Sequence, residues 1–140
     1  MDLLETLAAP LHAAALYAGL IVLLMAVLKM YVGAQRGKHK VAPGDVSNPN
    51  FERALRVQQN AVEDVPVLLT GIIVLALLDA PVWLIHGAGA TLVVSRILHA
   101  QGLASSAGFS FGRSAGTLGT ILVYLAVTFG LLQRAFDAGA

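Results

Sequence analysis

The chain has 140 residues, 57% of them hydrophobic and only 12% charged, with a formal net charge of +1 and no cysteine. Soluble domains run at about 45–50% apolar and about 25% charged; with a mean hydropathy of +0.77, this composition excludes a disordered chain, argues against a soluble globular one and leaves room for one domain. The near-neutral charge gives no reason to expect nucleic acid as a partner. The absence of cysteine excludes a disulfide framework, a thiolate metal site and a protein thiol nucleophile, so a thiol takes part only if a substrate brings it.

A membrane helix needs about 20 mainly apolar residues. The first is expected over residues 10–33, with 20–26 wholly apolar and Lys29 placed to snorkel to the interface. Ahead of it stand Asp2 and Glu5 and no basic residue. A secretory signal peptide begins with positive charge, so this helix is expected to stay in the mature protein. Residues 33–50 carry Gly33, Gly37, Pro43, Gly44 and Pro49 and read as the one long connection. The second helix is expected over 51–78, polar at first and apolar from 65 onward. The third is expected over 82–103, and the fourth over 114–136 with its apolar centre at 120–132. The fold class is therefore an all-α integral membrane protein, a bundle of four transmembrane helices.

Charge orients the bundle. Lys29, Arg36, Lys38, Lys40, Arg53 and Arg56, six of the nine basic residues, lie around the first connection. Arg96 and Arg113 flank the third connection, whereas the turn between helices two and three holds Asp79 and no basic residue. The cytoplasmic bias of Lys and Arg puts the first and third connections inside and both termini outside.

Ionisable groups within membrane helices are costly and point to function. Arg53, Arg56, Asn60 and Glu63 follow one another at spacings of three, four and three. At about 100° per residue they share an arc of roughly 80° and span about 15 Å, with Asp64 just outside. The stripe reads in two ways: a solvated helix start with internal ion pairs, Asp64 pairing with a neighbouring helix, or a binding wall for a zwitterion, with Arg for carboxylates and an acid for an ammonium group. Pro66 frees the carbonyl of Val62 and kinks the helix. Arg96 and His99 share a face of helix three, and Gln101 points to the other side. His12, His39 and His86 are scattered, so no metal-ligand spacing is present.

Arg113 precedes helix four, with Ser110 and Ser114 as candidate caps. A guanidinium beside a helix N-terminus stabilises a thiolate; the alternative role is an interfacial anchor. Gly112, Gly116 and Thr120, with Gly119 beside them, form a small-residue stripe for packing or assembly. Four short helices offer few places to bury these polar faces, which favours an oligomer with sites between subunits.

The run from Phe51 to Pro66, FERALRVQQNAVEDVP, resembles the second-helix signature of the MAPEG family, the membrane-associated proteins of eicosanoid and glutathione metabolism. Lys29-Met-Tyr-Val32, Arg96-Ile-Leu-His99 and Arg113-Ser114 resemble further family elements in the same order. The resemblance covers residues 11–134 and looks most like the small bacterial members. It implies a homotrimer that binds glutathione, as thiol co-substrate, in a cleft between adjacent subunits open to the cytoplasmic side. Arg53, Arg56, Gln58, Asn60 and Glu63 would hold its backbone and charged ends, Arg36 would reach a carboxylate from the neighbouring subunit, and His99 would line the cleft. Arg113, with Ser114 beside it, would activate the thiolate for attack on a lipophilic electrophile, or for reduction of a lipid hydroperoxide, drawn from the membrane lipids of a bacterial inner membrane. Leu103 stands where the eicosanoid-forming members carry a Tyr, and Asp64 and Gln59 also depart from members of that group. Two other functions remain open on the residues: a non-catalytic relative that binds and presents a lipid, and a small four-helix transporter, although helix one lacks the membrane-embedded acid such transporters usually carry.

Overall fold

The structure, a computed structural model, describes residues 3–137; Asp2, on which part of the signal-peptide expectation rests, lies outside them. The described residues form four helices: α1 (Leu3–His39), α2 (Pro49–Leu77), α3 (Val82–Ser105) and α4 (Phe111–Asp137). Each is long and apolar enough to cross a membrane. Short connections make successive helices antiparallel. The α2–α3 pair occupies the middle, with α1 packed against one side of it and α4 against the other, and among the described residues the α1 and α4 backbones do not approach each other closely.

Local chemistry sets the helix ends. Asn48 caps α2: its side-chain oxygen accepts from the N–H groups of Asn50 (3.0 Å) and Phe51 (3.1 Å), and Pro49 supplies a first helical residue that needs no N–H partner. Ser110 caps α4 by accepting from the Arg113 N–H at 3.2 Å. The helix therefore starts at Phe111, three residues before the expected position, and takes Arg113 and Ser114 into its first turn.

The first connection is shorter than its glycines suggest. Gly33 and Gly37 lie inside α1, which runs to His39. A glycine costs a helix interior only about 1 kcal/mol, and Arg36, Lys38 and His39 in the last turn suit the negative end of the helix dipole. Beyond it the chain turns through Lys40 and Gly44, both at positive φ. The Arg36 guanidinium donates to the Ala42 carbonyl at 3.1 Å and lies 4.6 Å from the centre of the Phe51 ring, which is fully buried with Val32 and Val41. Nearby, the Ser47 N–H donates to Asp45 and holds that carboxyl below the usual range. At the other end of the bundle, Asp79 takes positive φ in the tight α2–α3 turn, and Arg134 of α4 donates to the Leu78 carbonyl at 3.2 Å.

The core is aliphatic, with Leu68, Ile72, Leu75, Ile85 and Leu92 at its centre. The small-residue stripe of α4 is used within the chain. A side chain at Gly112 would meet the Leu98 carbonyl, and one at Gly119 would meet the Ser95 side chain. At Gly116 an added Cβ would sit 2.5 Å from the Ser95 carbonyl oxygen. These contacts bring α4 hard against the polar face of α3. Gly116→Ala is therefore expected to lower stability by about 1–3 kcal/mol, the range for overpacking. Gly33→Ala, at a position with open space around it, is expected to be neutral or to gain up to about 1 kcal/mol. Thermal unfolding in detergent checks this; equal effects at the two positions would contradict it.

Candidate functional site

An ion pair, buried at its guanidinium and partly exposed at its carboxylate, joins three helices. Arg96 of α3 has a side chain only 3% exposed, and its Nη1 donates to Asp64 Oδ2 of α2 at 2.7 Å and to the Asn60 carbonyl at 3.3 Å. Its Nη2 donates to the Thr120 hydroxyl of α4 at 2.7 Å, and that hydroxyl donates onward to the Gly116 carbonyl at 2.8 Å. The Tyr124 hydroxyl of α4 donates to the second Asp64 oxygen at 3.1 Å. Both carboxylate oxygens are thus engaged, while the buried Nε of Arg96 has no partner among the described residues.

Two cavities are stacked along this α2–α4 face. The deeper one, about 140 Å³, lies over the ion pair and is lined by Asn60, Asp64, Arg96, His99 and Thr117 among others. The Asn60 amide donates back to the Arg56 carbonyl at 2.9 Å, which leaves its side-chain oxygen for a ligand. About one turn nearer the end of the bundle lies a wider cavity of about 300 Å³, lined by Glu52, Arg53 and Arg56 of α2, Leu103 of α3 and Arg113 of α4. Arg56 pairs with Glu52 at 2.9 Å, but both side chains are substantially exposed. An exposed pair four residues apart is worth about 0.3–0.5 kcal/mol, so an incoming carboxylate can displace it. Arg113 stands in the first turn of α4, where the helix dipole adds to its charge.

Of the residues singled out from sequence, Arg53, Arg56 and Arg113 meet in the wider cavity, and Asn60 and His99 in the deeper one. Arg36, Gln58, Glu63 and Ser114 line neither. Arg36 is engaged with the first connection, Gln58 is half-buried, and Glu63 and Ser114 are exposed on the single chain. Sequence reasoning identified Asp64 as a possible partner for a neighbouring helix but assigned no polar role to Tyr124. It read Thr120 as a small packing residue. The available signal was spacing: Gly116, Thr120 and Tyr124 follow at intervals of four and fall on one face of α4. Among the described residues no group of three acidic or histidine side chains converges to hold a metal ion.

Four helices long and apolar enough to span, three of which line a basic, hydrogen-bonding column, define an integral membrane protein with polar cavities. The MAPEG family model matches residues 14–133, and the chain belongs to that family. It is similar to the inner membrane protein YecN of Escherichia coli, 32% identical over 88 residues that make up 63% of this chain and 67% of YecN. It is likewise 32% identical to the uncharacterized protein sll1147 of Synechocystis over 125 residues, 85% of this chain and 90% of that protein. A shorter match, 41 residues at 51% identity, relates 29% of this chain to 28% of microsomal glutathione S-transferase 2 of Bos taurus.

The ion pair makes a sharp stability test. Removing one partner of a buried pair leaves an uncompensated charge and costs about 3–5 kcal/mol, whereas replacing both by apolar groups is often neutral. Asp64→Ala is expected to lose stability on that scale and Asp64→Leu/Arg96→Met to recover most of it, read by thermal unfolding in detergent. A single variant as stable as the parent protein would contradict the pairing.

Proposed function

We propose that the protein is a glutathione-dependent membrane transferase or peroxidase of an inner membrane, working as a homotrimer with its basic end toward the cytoplasm. The observation that carries this reading is the convergence of Arg53, Arg56 and Arg113 on one cavity one turn above Asn60 and His99. It is supported by membership of the MAPEG family and by the short, close match to a glutathione S-transferase. Glutathione carries two carboxylates, an ammonium group and a thiol. Arg53 and Arg56 take its carboxylates, Asn60 its peptide groups, and His99 lines the floor. The polar side chains that the single chain leaves outside the column, Gln58, Glu63 and Ser114, and also Arg36, complete the site across a subunit boundary. Glu63, exposed on the single chain just before the apolar half of α2, then meets the ligand's ammonium group instead of lipid.

Arg113 and the N-terminus of α4 hold the thiolate. Thiolate attack on an electrophilic carbon forms the S–C bond, and the displaced electron pair leaves with the leaving group or on a conjugated carbonyl that then takes a proton from water. With a lipid hydroperoxide, attack on the O–O bond gives the alcohol, after protonation, and a glutathione sulfenic acid; a second glutathione converts the latter to disulfide and water. Leu103 beside Arg113, where eicosanoid-forming members carry a Tyr, favours a second reading: a non-catalytic relative that binds and presents a lipid.

The ultraviolet thiolate band separates these readings. On purified protein at neutral pH, added glutathione is expected to give a saturable thiolate signal. A cation within about 4–6 Å lowers an acid's pKa by about 1–3 units. Arg113→Ala is therefore expected to raise the bound thiol's pKa by at least about one unit, about 1.4 kcal/mol, and to abolish the signal at pH 7. An unchanged signal in Arg113→Ala would remove Arg113 from the mechanism, and no signal in the parent protein would favour the lipid-presenting reading.

A further inference from the structure

Where α1 packs against α2 and α3, a second pair of cavities lies on the other side of Arg53 from the column. One, about 280 Å³ and strongly polar, is lined by Gln35, Lys38 and His39 of α1 and by Asn50 and Arg53 of α2. The other, about 200 Å³ and almost wholly apolar, is lined by Val27 and Leu28 of α1, Val57 of α2 and Ala100 of α3. Both include Tyr31 and Ala104, so they adjoin end to end as the two parts of one slot. The α1 positions fall at helical spacing on one face. The slot therefore runs along the helix axis for about 18 Å, basic at the end of the bundle and apolar toward its middle.

We propose that this slot binds one anionic phospholipid, with its phosphate diester in the basic cavity and an acyl chain in the apolar one. Charge argues for an anion. The ion pairs among the described residues are Arg56–Glu52 and Arg96–Asp64, and neither supplies a counter-ion to Lys38 or Arg53. Basic pockets between membrane helices hold phosphate headgroups in this way. The adjoining apolar cavity argues for a lipid and against a water-soluble anion. Gln101 adds a third feature. Its side chain is exposed on the wall of the apolar cavity and has no hydrogen-bond partner among the described residues. An unpaired amide is costly in hydrocarbon, and this one lies where the ester carbonyls of a seated lipid accept a hydrogen bond. Arg53 borders both this slot and the proposed glutathione cavity; the other lipid-binding residues are separate from that site.

The test is lipid retention on delipidated, detergent-purified protein, followed by native mass spectrometry with added phosphatidylglycerol, phosphatidylethanolamine or inorganic phosphate. One phosphatidylglycerol per chain is expected, retained at least about tenfold better than phosphatidylethanolamine, with phosphate unable to compete. Lys38→Ala is expected to weaken retention about fivefold, the effect of one basic side chain near an anionic headgroup. Val27→Trp is expected to displace the acyl chain, and both variants should leave the glutathione thiolate signal intact. Equal retention of the two lipids, undiminished retention in both variants, or displacement by millimolar phosphate would overturn the proposal. So would failure to retain any lipid, which would leave the seam to a second copy of the chain.

Discussion

A guanidinium buried in an apolar bundle is the constraint on which the rest of the site depends. Arg96 cannot remain charged at that depth without a counter-ion and acceptors for its terminal N–H groups. Asp64 supplies the charge, and the Asn60 carbonyl and Thr120 hydroxyl supply acceptors. Tyr124 satisfies the remaining carboxylate oxygen. These partners come from α2 and α4, so the pair fixes the rotation of both helices about α3. That rotation places Asn60 opposite His99, and it brings Arg113, two turns before Thr120, to the cavity that Arg53 and Arg56 face.

The glycines of α4 make the arrangement possible. Only a surface without side chains at positions 112 and 116 lets α4 approach the backbone of α3 closely enough for Thr120 to reach Arg96. From that anchor outward, charge becomes progressively freer. Arg96 is locked, Arg56 is held by a weak exposed pair with Glu52, and Arg113 has no carboxylate partner among the described residues. A charge-paired base beneath weakly paired cations suits an anionic ligand that enters from the end of the bundle, since those cations can take it as a counter-ion while the pair below stays intact.

Much of this was legible in the residues. Apolar length gave the four spans, and the three-four-three spacing on α2 placed Arg53, Arg56 and Asn60 on one face. The role of Asp64 was half visible, as an acid beside the stripe that needed a partner on another helix. Tyr124 and Thr120 were obscured because α4 reads as generically apolar and small; their polar function exists only once α3 lies against them. The connections were harder for a different reason. Glycines at 33 and 37 signal a loop, but their small helical penalty is offset by basic residues at the C-terminal end of α1. A serine four residues before the expected start of α4 gained three residues for the helix by capping it. Glu63 and Ser114 are polar yet uncovered within one chain, so their proposed roles depend on a second copy that the sequence of one chain cannot display.

The central claim is that the basic column of α2 and α4 is a glutathione site. Isothermal titration of the detergent-purified protein with glutathione tests it most directly, because it reads binding whether or not any chemistry follows. The account predicts a saturable heat that is weakened at least about tenfold by Arg56→Ala and Arg113→Ala alike, each removing a charge-assisted contact of about 1.5–3 kcal/mol. An absence of heat in the parent protein, or binding indifferent to both substitutions, would contradict it.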